Sequence, residues 1–137
     1  MLTLEVCSGA VRSWVTVTGD LDLASAPRLQ RVLDGLCRDG YHEVVVDLAG
    51  LEFLGAVGLG VFLSTDEQLR ATGGRLILNR PQRLVRRVLA ITGLDTVLTI
   101  RPADSAGVPA PRRYRRRAST TVNTPSAAPE LAAPATA

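Results

Sequence analysis

Residues 44–70 place the strongest constraint on the fold of this chain. Their first part, residues 44–48, is a short β-branched and apolar run, typical of a strand buried on both faces of a sheet. A glycine-rich turn follows at residues 54–58, and apolar residues then recur at helical spacing over residues 57–72. A buried strand followed by an amphipathic helix needs further strands and helices around it, so the segment predicts an α/β fold.

The remaining elements follow from the same periodicities. Residues 2–7 and 12–18 alternate apolar and polar residues, which predicts a hairpin of two strands, with residues 19–22 leaving the sheet. Residues 75–78 and 96–100 are expected to be the last two strands. One helix is predicted between Ser25 and Gly40, and a third has an inner face assigned to Leu84, Val85, Val88, Leu89 and Ile91. The predicted order is β-β-α-β-α-β-α-β, an α/β sandwich in which right-handed crossovers place the helices over the sheet.

Residues 103–137 differ from the rest in composition, because Ala, Pro, Ser, Thr and Gly dominate them. Such a segment cannot bury enough apolar surface to offset the entropy of ordering it. We therefore expect a domain at residues 1–102, followed by a disordered tail at 103–137. Residues 1–104 carry 11 Arg and 12 acidic residues, whereas residues 105–137 carry 5 Arg and one Glu. The basic character of the chain thus belongs to its tail.

No combination of residues points to catalysis or to a cofactor. The single histidine, His42, precedes the central strand and favours an ordinary edge or loop position. Cys7 and Cys37 have neither metal-binding nor redox spacing. The glycines of the turn lack the order of phosphate-binding loops, so a close-packed turn is preferred, with weak phosphate or nucleotide contact left open. We expect a protein that is not an enzyme and holds no metal and no other cofactor.

The sequence also lacks the signals of a membrane or exported protein. No apolar run reaches the roughly 18 residues that a membrane-spanning helix needs. The first residues, MLTLEVCSG, lack the charged and apolar regions of a secretion signal. We therefore expect a cytoplasmic protein with reduced cysteines and no membrane contact.

Two motifs in register carry a resemblance to a known family. The first is residues 15–27, VTVTGDLDLASAP, at the passage from the second strand to the first helix. The second combines residues 47–54, DLAGLEFL, with residues 58–61, GLGV. Together they resemble the STAS domain of bacterial anti-sigma factor antagonists over residues 2–100.

This resemblance implies both a fold and a function. The fold is a STAS-like sandwich, a central mixed sheet covered by helices, in the order that periodicity predicts. The function is that of a non-enzymatic regulator of transcription, which binds a serine-kinase anti-sigma factor and frees a sigma factor for RNA polymerase. In that family the kinase phosphorylates a serine at the start of the helix after the central strand. The phosphate brings about −1.5 to −2 charges into the contact surface and breaks the complex.

The chain departs from the family at this phosphorylation site. Where the family has Asp-Ser-Ser/Ala-Gly, the sequence is Gly-Ala-Val-Gly, so that Ala56 stands at the phosphoacceptor position without a hydroxyl. Glycine at the N-cap position costs roughly a few tenths of a kcal/mol relative to the best capping residues, so the fold should be retained. Three hypotheses stay open: an antagonist that phosphorylation at this site does not switch off, a diverged STAS module with another partner, and a decayed copy with little activity. The expected partner surface consists of Asp22, Gly55, Ala56, Val57, Gly58 and Leu59.

The other polar residues near these motifs have simpler interpretations. Asp20 and Asp22 are interpreted as turn and cap residues, with contact to a partner as the alternative. Ser25 is interpreted as a helix cap, and Ser64 and Thr65 as solvated helix residues, although each hydroxyl is a conceivable substitute phosphoacceptor.

The tail leaves one alternative of a different class. Its arginine cluster at residues 112–117 could contact a nucleic acid backbone, an acidic membrane surface or an acidic protein. Nucleic acid contact is not favoured, because no folded recognition element accompanies the cluster. Residues 116–119, Arg-Arg-Ala-Ser, resemble a site for kinases that prefer basic sequences, which makes Ser119 a candidate modification site.

Overall fold

A five-stranded sheet forms the centre of the molecule. The computed structural model describes residues 1–102, and in these residues the predicted α/β class and the predicted order of elements are confirmed. The elements are β1 (Leu2–Ser8), β2 (Arg12–Leu21), α1 (Ala26–Arg38), β3 (Glu43–Leu54), α2 (Ala56–Ala71), β4 (Arg75–Asn79), α3 (Arg83–Ile91), a 3-10 turn (Leu94–Thr96) and β5 (Thr99–Arg101).

The strands lie in the sheet in the order of the sequence, β1-β2-β3-β4-β5. β1 and β2 pair antiparallel, as predicted for a hairpin, whereas β2, β3, β4 and β5 pair parallel to one another. Parallel neighbours need crossovers, which α1, α2 and α3 supply. The carboxyl ends of the parallel strands therefore meet at one end of the sheet, where the chain passes into the helices.

The central strand is β3, and it is buried on both faces as its sequence predicted. Val44 and Val46 belong to the main core together with the apolar side chains of all three helices. Val45 points to the opposite face, where it forms a smaller cluster with Trp14 and Ile77. The burial of both faces of β3 explains why its first residues are uninterrupted β-branched residues rather than an alternating pattern.

β2 is longer than predicted, because the chain stays in the sheet through residues 19–21. Gly19 has a φ of +106°, and an added Cβ there would lie 2.1 Å from the carbonyl oxygen of Met1. That carbonyl accepts a hydrogen bond of 3.0 Å from the backbone N–H of Asp20. The pairing of β2 with β3 shifts register between Gly19 and Asp20. The glycine marks a β-bulge, and the prediction of a strand end at this point was wrong.

The last strand, in contrast to β2, is shorter than predicted. Residues 94–96 form the 3-10 turn, and β5 is confined to Thr99–Arg101. Gly93, predicted as the cap of α3, has a φ of +79° in the left-handed region, where glycine is favoured. Of the residues that the pattern assigned to the strand, Thr96 belongs to the 3-10 turn, and Val97 and Leu98 connect that turn to β5.

The predicted inner face of α3 is only partly correct. Val85 and Leu89 are buried in the main core, and Val88 is half-buried against it. Leu84 and Ile91 instead expose 66% and 75% of their surface. α3 is short and packs near one end of the sheet, so Val85, Val88 and Leu89 reach the core, and the apolar residues near the two ends of the helix do not.

Polar residues in α2 are more buried than expected. Thr65 was predicted to be solvated, and its side chain is completely buried. Asp66 is also buried, and its carboxylate accepts hydrogen bonds from Arg70 Nε at 2.7 Å and from the backbone N–H of Leu76 at 3.3 Å. α2 lies between α1 and β4, so this stretch of the helix faces protein rather than solvent.

An ion-pair cluster holds the amino ends of the parallel strands. Glu43 accepts hydrogen bonds from Arg12 Nε at 2.7 Å and from Arg75 Nε at 3.1 Å, and so joins β2, β3 and β4. Burial raises the pKa of Glu43, but the hydrogen bonds and charges of the two arginines outweigh burial and hold the pKa below its usual value. We refer to these three residues as the Glu43 clamp.

Candidate functional site

The starts of α1 and α2 lie side by side because β2 and β3 are parallel neighbours. Leu21 at the end of β2 is opposite Leu54 at the end of β3. The backbone N–H of Gly55 donates a hydrogen bond of 2.9 Å to the carbonyl oxygen of Leu21. The two sequence motifs, separate in the chain, thus meet at the carboxyl end of the sheet. Their junction is the candidate site.

The start of α2 has an open, unstrained backbone. Gly55 is the N-cap residue, with an extended conformation of φ −92° and ψ 174° that any residue adopts. No side chain caps the helix, and an added Cβ on Gly55 would meet the ring of Phe53 at 3.4 Å and the Leu21 carbonyl oxygen at 3.7 Å. Ala56 and Val57 are exposed at the first helical positions. The backbone would therefore accept the side chains that the family pattern has here.

Gly58 and Leu59, predicted as part of the partner surface, are both buried in this structure. Gly58 is buried, and an added Cβ would lie 2.6 Å from Leu21 Cδ2 and 2.8 Å from Leu54 Cδ1. Leu59 exposes only 8% of its surface. The glycine lets α2 approach the ends of β2 and β3 closely. Both residues position the exposed part of the helix that begins at Ala56.

Asp22 organises the turn that leads into α1. Its Oδ1 accepts hydrogen bonds from the backbone N–H groups of Ala24 at 3.1 Å and Ser25 at 3.0 Å. The hydrogen bond from the Ser25 backbone, with further bonds from the Ser25 hydroxyl and Ala24, lowers the pKa of Asp22. Its interpretation as a turn residue is consistent with these bonds, and the half-exposed carboxylate leaves room for a partner contact.

Ser25 does not cap α1 with its side chain, contrary to the prediction. It occupies the N-cap position, but its hydroxyl lies 2.9 Å from the carbonyl oxygen of Asp20 and 3.0 Å from Asp22 Oδ1. The hydroxyl also accepts a hydrogen bond of 3.0 Å from the backbone N–H of Asp22. Ser25 is 97% buried by these contacts, which tie the turn to the end of β2.

We expect Asp22→Ala to lower the free energy of unfolding by about 1 kcal/mol at neutral pH, because the turn loses its acceptor. The folded pKa of Asp22 is lowered, so the carboxylate stabilises the fold fully above 3.8, the usual pKa of an aspartate, and this contribution is lost as the pH falls through the lowered value. The difference in the free energy of unfolding between the wild type and Asp22→Ala should therefore become smaller at acidic pH. Urea unfolding across the pH range measures it, and Asp22→Asn, which keeps the acceptor, is the control. A difference that widens in acid would contradict this account.

The exposed surface of the site includes two apolar side chains that the sequence did not indicate. Leu23, in the turn after β2, exposes 75% of its surface, and Phe53 at the end of β3 exposes 52%. Val57 at the start of α2 is a third exposed apolar residue close in sequence to the junction of the two motifs. The break in period-two alternation at residues 51–54 was the only available signal for Phe53.

The residues considered for catalysis are not brought together. His42 is exposed in the turn before β3, as predicted, at the opposite end of the sheet from the site. Cys7 and Cys37 are half-buried free thiols, and burial, with the nearby Asp34 carboxylate, raises the pKa of Cys37. Within residues 1–102, no three His, Cys, Asp or Glu side chains are placed to hold a metal ion.

No helix in the described part of the chain is long and apolar enough to cross a membrane. Ser119 and the arginine cluster at residues 112–117 lie outside the described residues. Their predicted roles stay predictions.

Comparison with known proteins gives a consistent result. The sequence model of the STAS domain matches residues 4–105. An anti-sigma-B factor antagonist of Staphylococcus epidermidis is 31% identical over 86 residues, which is 63% of this chain and 80% of that protein.

Solved structures agree with this match. An anti-sigma factor antagonist from Mycobacterium paratuberculosis is 31% identical, with a TM-score of 0.69 over 76% of this chain and 88% of that one. The phosphorylated form of the Bacillus cell fate determinant SpoIIAA has a TM-score of 0.59 at 21% identity, over 76% of this chain and 94% of that one. At that identity, the likeness to SpoIIAA concerns the fold alone.

Proposed function

Because this chain belongs to the STAS domain family, we propose that it is an anti-sigma factor antagonist, a regulator of transcription that acts by binding and not by catalysis. Its partner is a serine-kinase anti-sigma factor, which it sequesters in the cytoplasm so that a sigma factor is released. The relatives named as anti-sigma factor antagonists support this assignment. The observation that carries it is the junction of the two family motifs, made by the Gly55–Leu21 hydrogen bond.

The proposed contact surface is the exposed part of this junction. It consists of the turn around Asp22, the exposed start of α2 at Ala56 and Val57, and the apolar side chains of Leu23 and Phe53. Exposed apolar groups beside polar turn atoms are the usual composition of a protein contact. We define these five residues as the junction surface.

We further propose that phosphorylation at the usual site does not switch this protein off. A phosphate ester needs a hydroxyl, and Ala56 has none. Of the three other hydroxyls considered, Ser25 and Thr65 are at least 97% buried, so a kinase could reach them only after local unfolding, whereas Ser64 is half-buried. Binding would then be controlled by the amount of the protein or of its partner.

We expect the protein to bind one of the kinase-type anti-sigma factors encoded in the same genome, measured by calorimetry with each purified candidate. Val57→Asp should weaken that binding by about tenfold or more, since it places a charge on an apolar position of the junction surface. His42→Ala, at the other end of the sheet, is the matched control and should bind like the wild type. Failure of the wild type to bind any candidate would refute the proposed function.

Two alternatives have distinct outcomes in the same experiment. A diverged STAS module would bind another protein and no anti-sigma factor, and a decayed copy would bind nothing. Nucleic acid contact through residues 112–117 is tested by deleting residues 105–137. The deletion should leave anti-sigma factor binding unchanged, whereas a protein that acts on nucleic acid would lose its binding to DNA or RNA.

A further inference from the structure

A cavity lined by three arginines lies between α3 and β5. It has a volume of about 680 Å³, within the usual range of sites for small molecules. Its lining combines these arginines with one acidic residue of the 3-10 turn and with apolar groups at the end of the sheet: Arg83, Arg86, Arg87, Asp95, Ile100 and Pro102. We refer to it as the arginine cavity. It shares no residue with the junction surface, so the two are separate sites.

The three arginines belong to one side of α3. Positions 83, 86 and 87 are spaced i, i+3 and i+4, and side chains at this spacing are neighbours on the surface of a helix. All three side chains are exposed. Among the ion pairs found within residues 1–102, none involves any of them. Their guanidinium groups are therefore available to an anion that enters the cavity.

This arrangement of charge is unfavourable for the helix itself. The arginines occupy the first, fourth and fifth positions of α3, in the half of the helix where the dipole is positive. The first turn contains no acidic residue to offset them. Like charges at this spacing also repel one another. An anion bound among the three arginines would reduce both costs, so it should stabilise the folded protein.

The charge of the lining restricts the class of ligand. Asp95 is the one acidic residue among the described residues of the lining, so the three arginines leave an excess of two positive charges. A guanidinium group binds phosphate through two parallel hydrogen bonds, which gives arginine its preference for phosphate. A ligand with two or three phosphate groups supplies the matching charge and enough oxygen atoms for three guanidinium groups. Ile100 and Pro102 add apolar surface for the remainder of such a ligand.

We propose that the arginine cavity binds a small molecule that carries two or three linked phosphate groups. The shared chemistry is a short polyphosphate chain, either free or attached to a nucleoside. This site is independent of the proposed function, because its residues lie outside the junction surface. The arginines at residues 112–117 are a second place where such an anion could bind, and the experiment is designed to separate the two.

The test measures the binding of inorganic triphosphate to the full-length protein by calorimetry and by thermal unfolding. Triphosphate at about one hundred times its dissociation constant should raise the melting temperature by roughly 10 °C. The double variant R83Q/R86Q should raise the dissociation constant by about tenfold or more, because two charged contacts are lost. The matched control is R31Q/R38Q, which removes two exposed arginines of α1 and hence the same charge. It should bind like the wild type.

Two further measurements distinguish a binding site from a structural role of the arginines. Without ligand, R83Q/R86Q should melt on the order of 2 °C higher than the wild type, since unfavourable charges are removed from α3. Asp95→Asn should bind triphosphate several-fold more tightly, because it removes a negative charge from the lining. A lower melting temperature of unliganded R83Q/R86Q would overturn the proposal. Equal affinity of Asp95→Asn and the wild type would also overturn it.

A comparison of ligands identifies the source of the phosphate groups. Tighter binding of adenosine or guanosine triphosphate than of inorganic triphosphate assigns the cavity to nucleotides, and equal binding assigns it to free polyphosphate. Citrate, an anion of similar charge without phosphate, should bind about tenfold more weakly, and equal binding of citrate would refute the assignment to phosphate. If R83Q/R86Q binds triphosphate like the wild type, the ligand lies on the arginines at residues 112–117 and the cavity proposal fails. None of these measurements involves an anti-sigma factor, so the proposed function stands or fails separately.

Discussion

We expect Ala56→Ser to make this protein a substrate of its partner kinase and to make the complex reversible by phosphorylation. Ala56 is exposed at the first position of α2, and the backbone before it is extended and unstrained. A serine hydroxyl at this place would be accessible in the folded protein. Phosphate there should weaken binding by on the order of a hundredfold, since about two negative charges would enter an apolar contact.

Mass spectrometry after incubation with the kinase and ATP measures the modification, and calorimetry before and after it measures the affinity. The double variant G55D/A56S, which restores the acidic residue of the family pattern, should be phosphorylated faster than Ala56→Ser alone. An added Cβ on Gly55 makes only ordinary contacts, so this variant should fold. The wild type is the control and should take up no phosphate on residues 54–60. Phosphate on the wild type in this range would contradict the assignment of Ala56, as would an unmodified Ala56→Ser variant.

We expect Gly58→Val to be the most destabilising single change near the site. The added Cβ would lie within 2.8 Å of two leucine side chains, Leu21 and Leu54, which are themselves buried. Overpacking of this kind, with a β-branched residue in the first turn, should lower the free energy of unfolding by about 3 kcal/mol. For a domain of this size, that corresponds to a melting temperature lower by roughly 15 °C.

The matched control is Gly60→Ala, two residues further along the same helix. Nothing lies within 4 Å of an added Cβ at Gly60. Alanine there should raise the free energy of unfolding by about 0.5–1 kcal/mol, through the better helix propensity of alanine. Thermal and urea unfolding should show that Gly58→Val lowers the free energy of unfolding and that Gly60→Ala raises it. This result would show that close packing at Gly58 sets the position of α2. Similar effects at both positions would contradict this role.

The sequence predicted those parts of the fold that are fixed by local patterns. The uninterrupted valines of β3 indicated burial on both faces, and the structure has Val45 on one face and Val44 and Val46 on the other. The predicted β-β-α-β-α-β-α-β order, and with it the meeting of the two motifs, follows from the same periodicities. These features can be predicted without knowing which residues pack against each other in the folded protein.

The errors concern residues whose surroundings depend on distant parts of the chain. Gly19 reads as a strand end, but a register shift against β3 keeps it in the sheet. Thr65 was predicted to be a surface residue from its local sequence. The packing of α1 and β4 around α2 buries it instead. Leu84 and Leu89 are equally apolar, and only the placement of α3 near the end of the sheet decides which of them is buried. The close approach of Gly58 to Leu21 likewise cannot be inferred from spacing.

The Glu43 clamp has a consequence for how this protein can change during evolution. It joins the amino ends of β2, β3 and β4, whereas the junction surface lies at the carboxyl ends of β2 and β3. β3 has 12 residues, and at about 3.3 Å per residue the two ends are separated by roughly 35–40 Å. Substitutions at such distances usually act additively. Substitutions at the junction surface can therefore change the binding partner without altering thermal stability. Substitutions at the Glu43 clamp can in turn change thermal stability without altering binding.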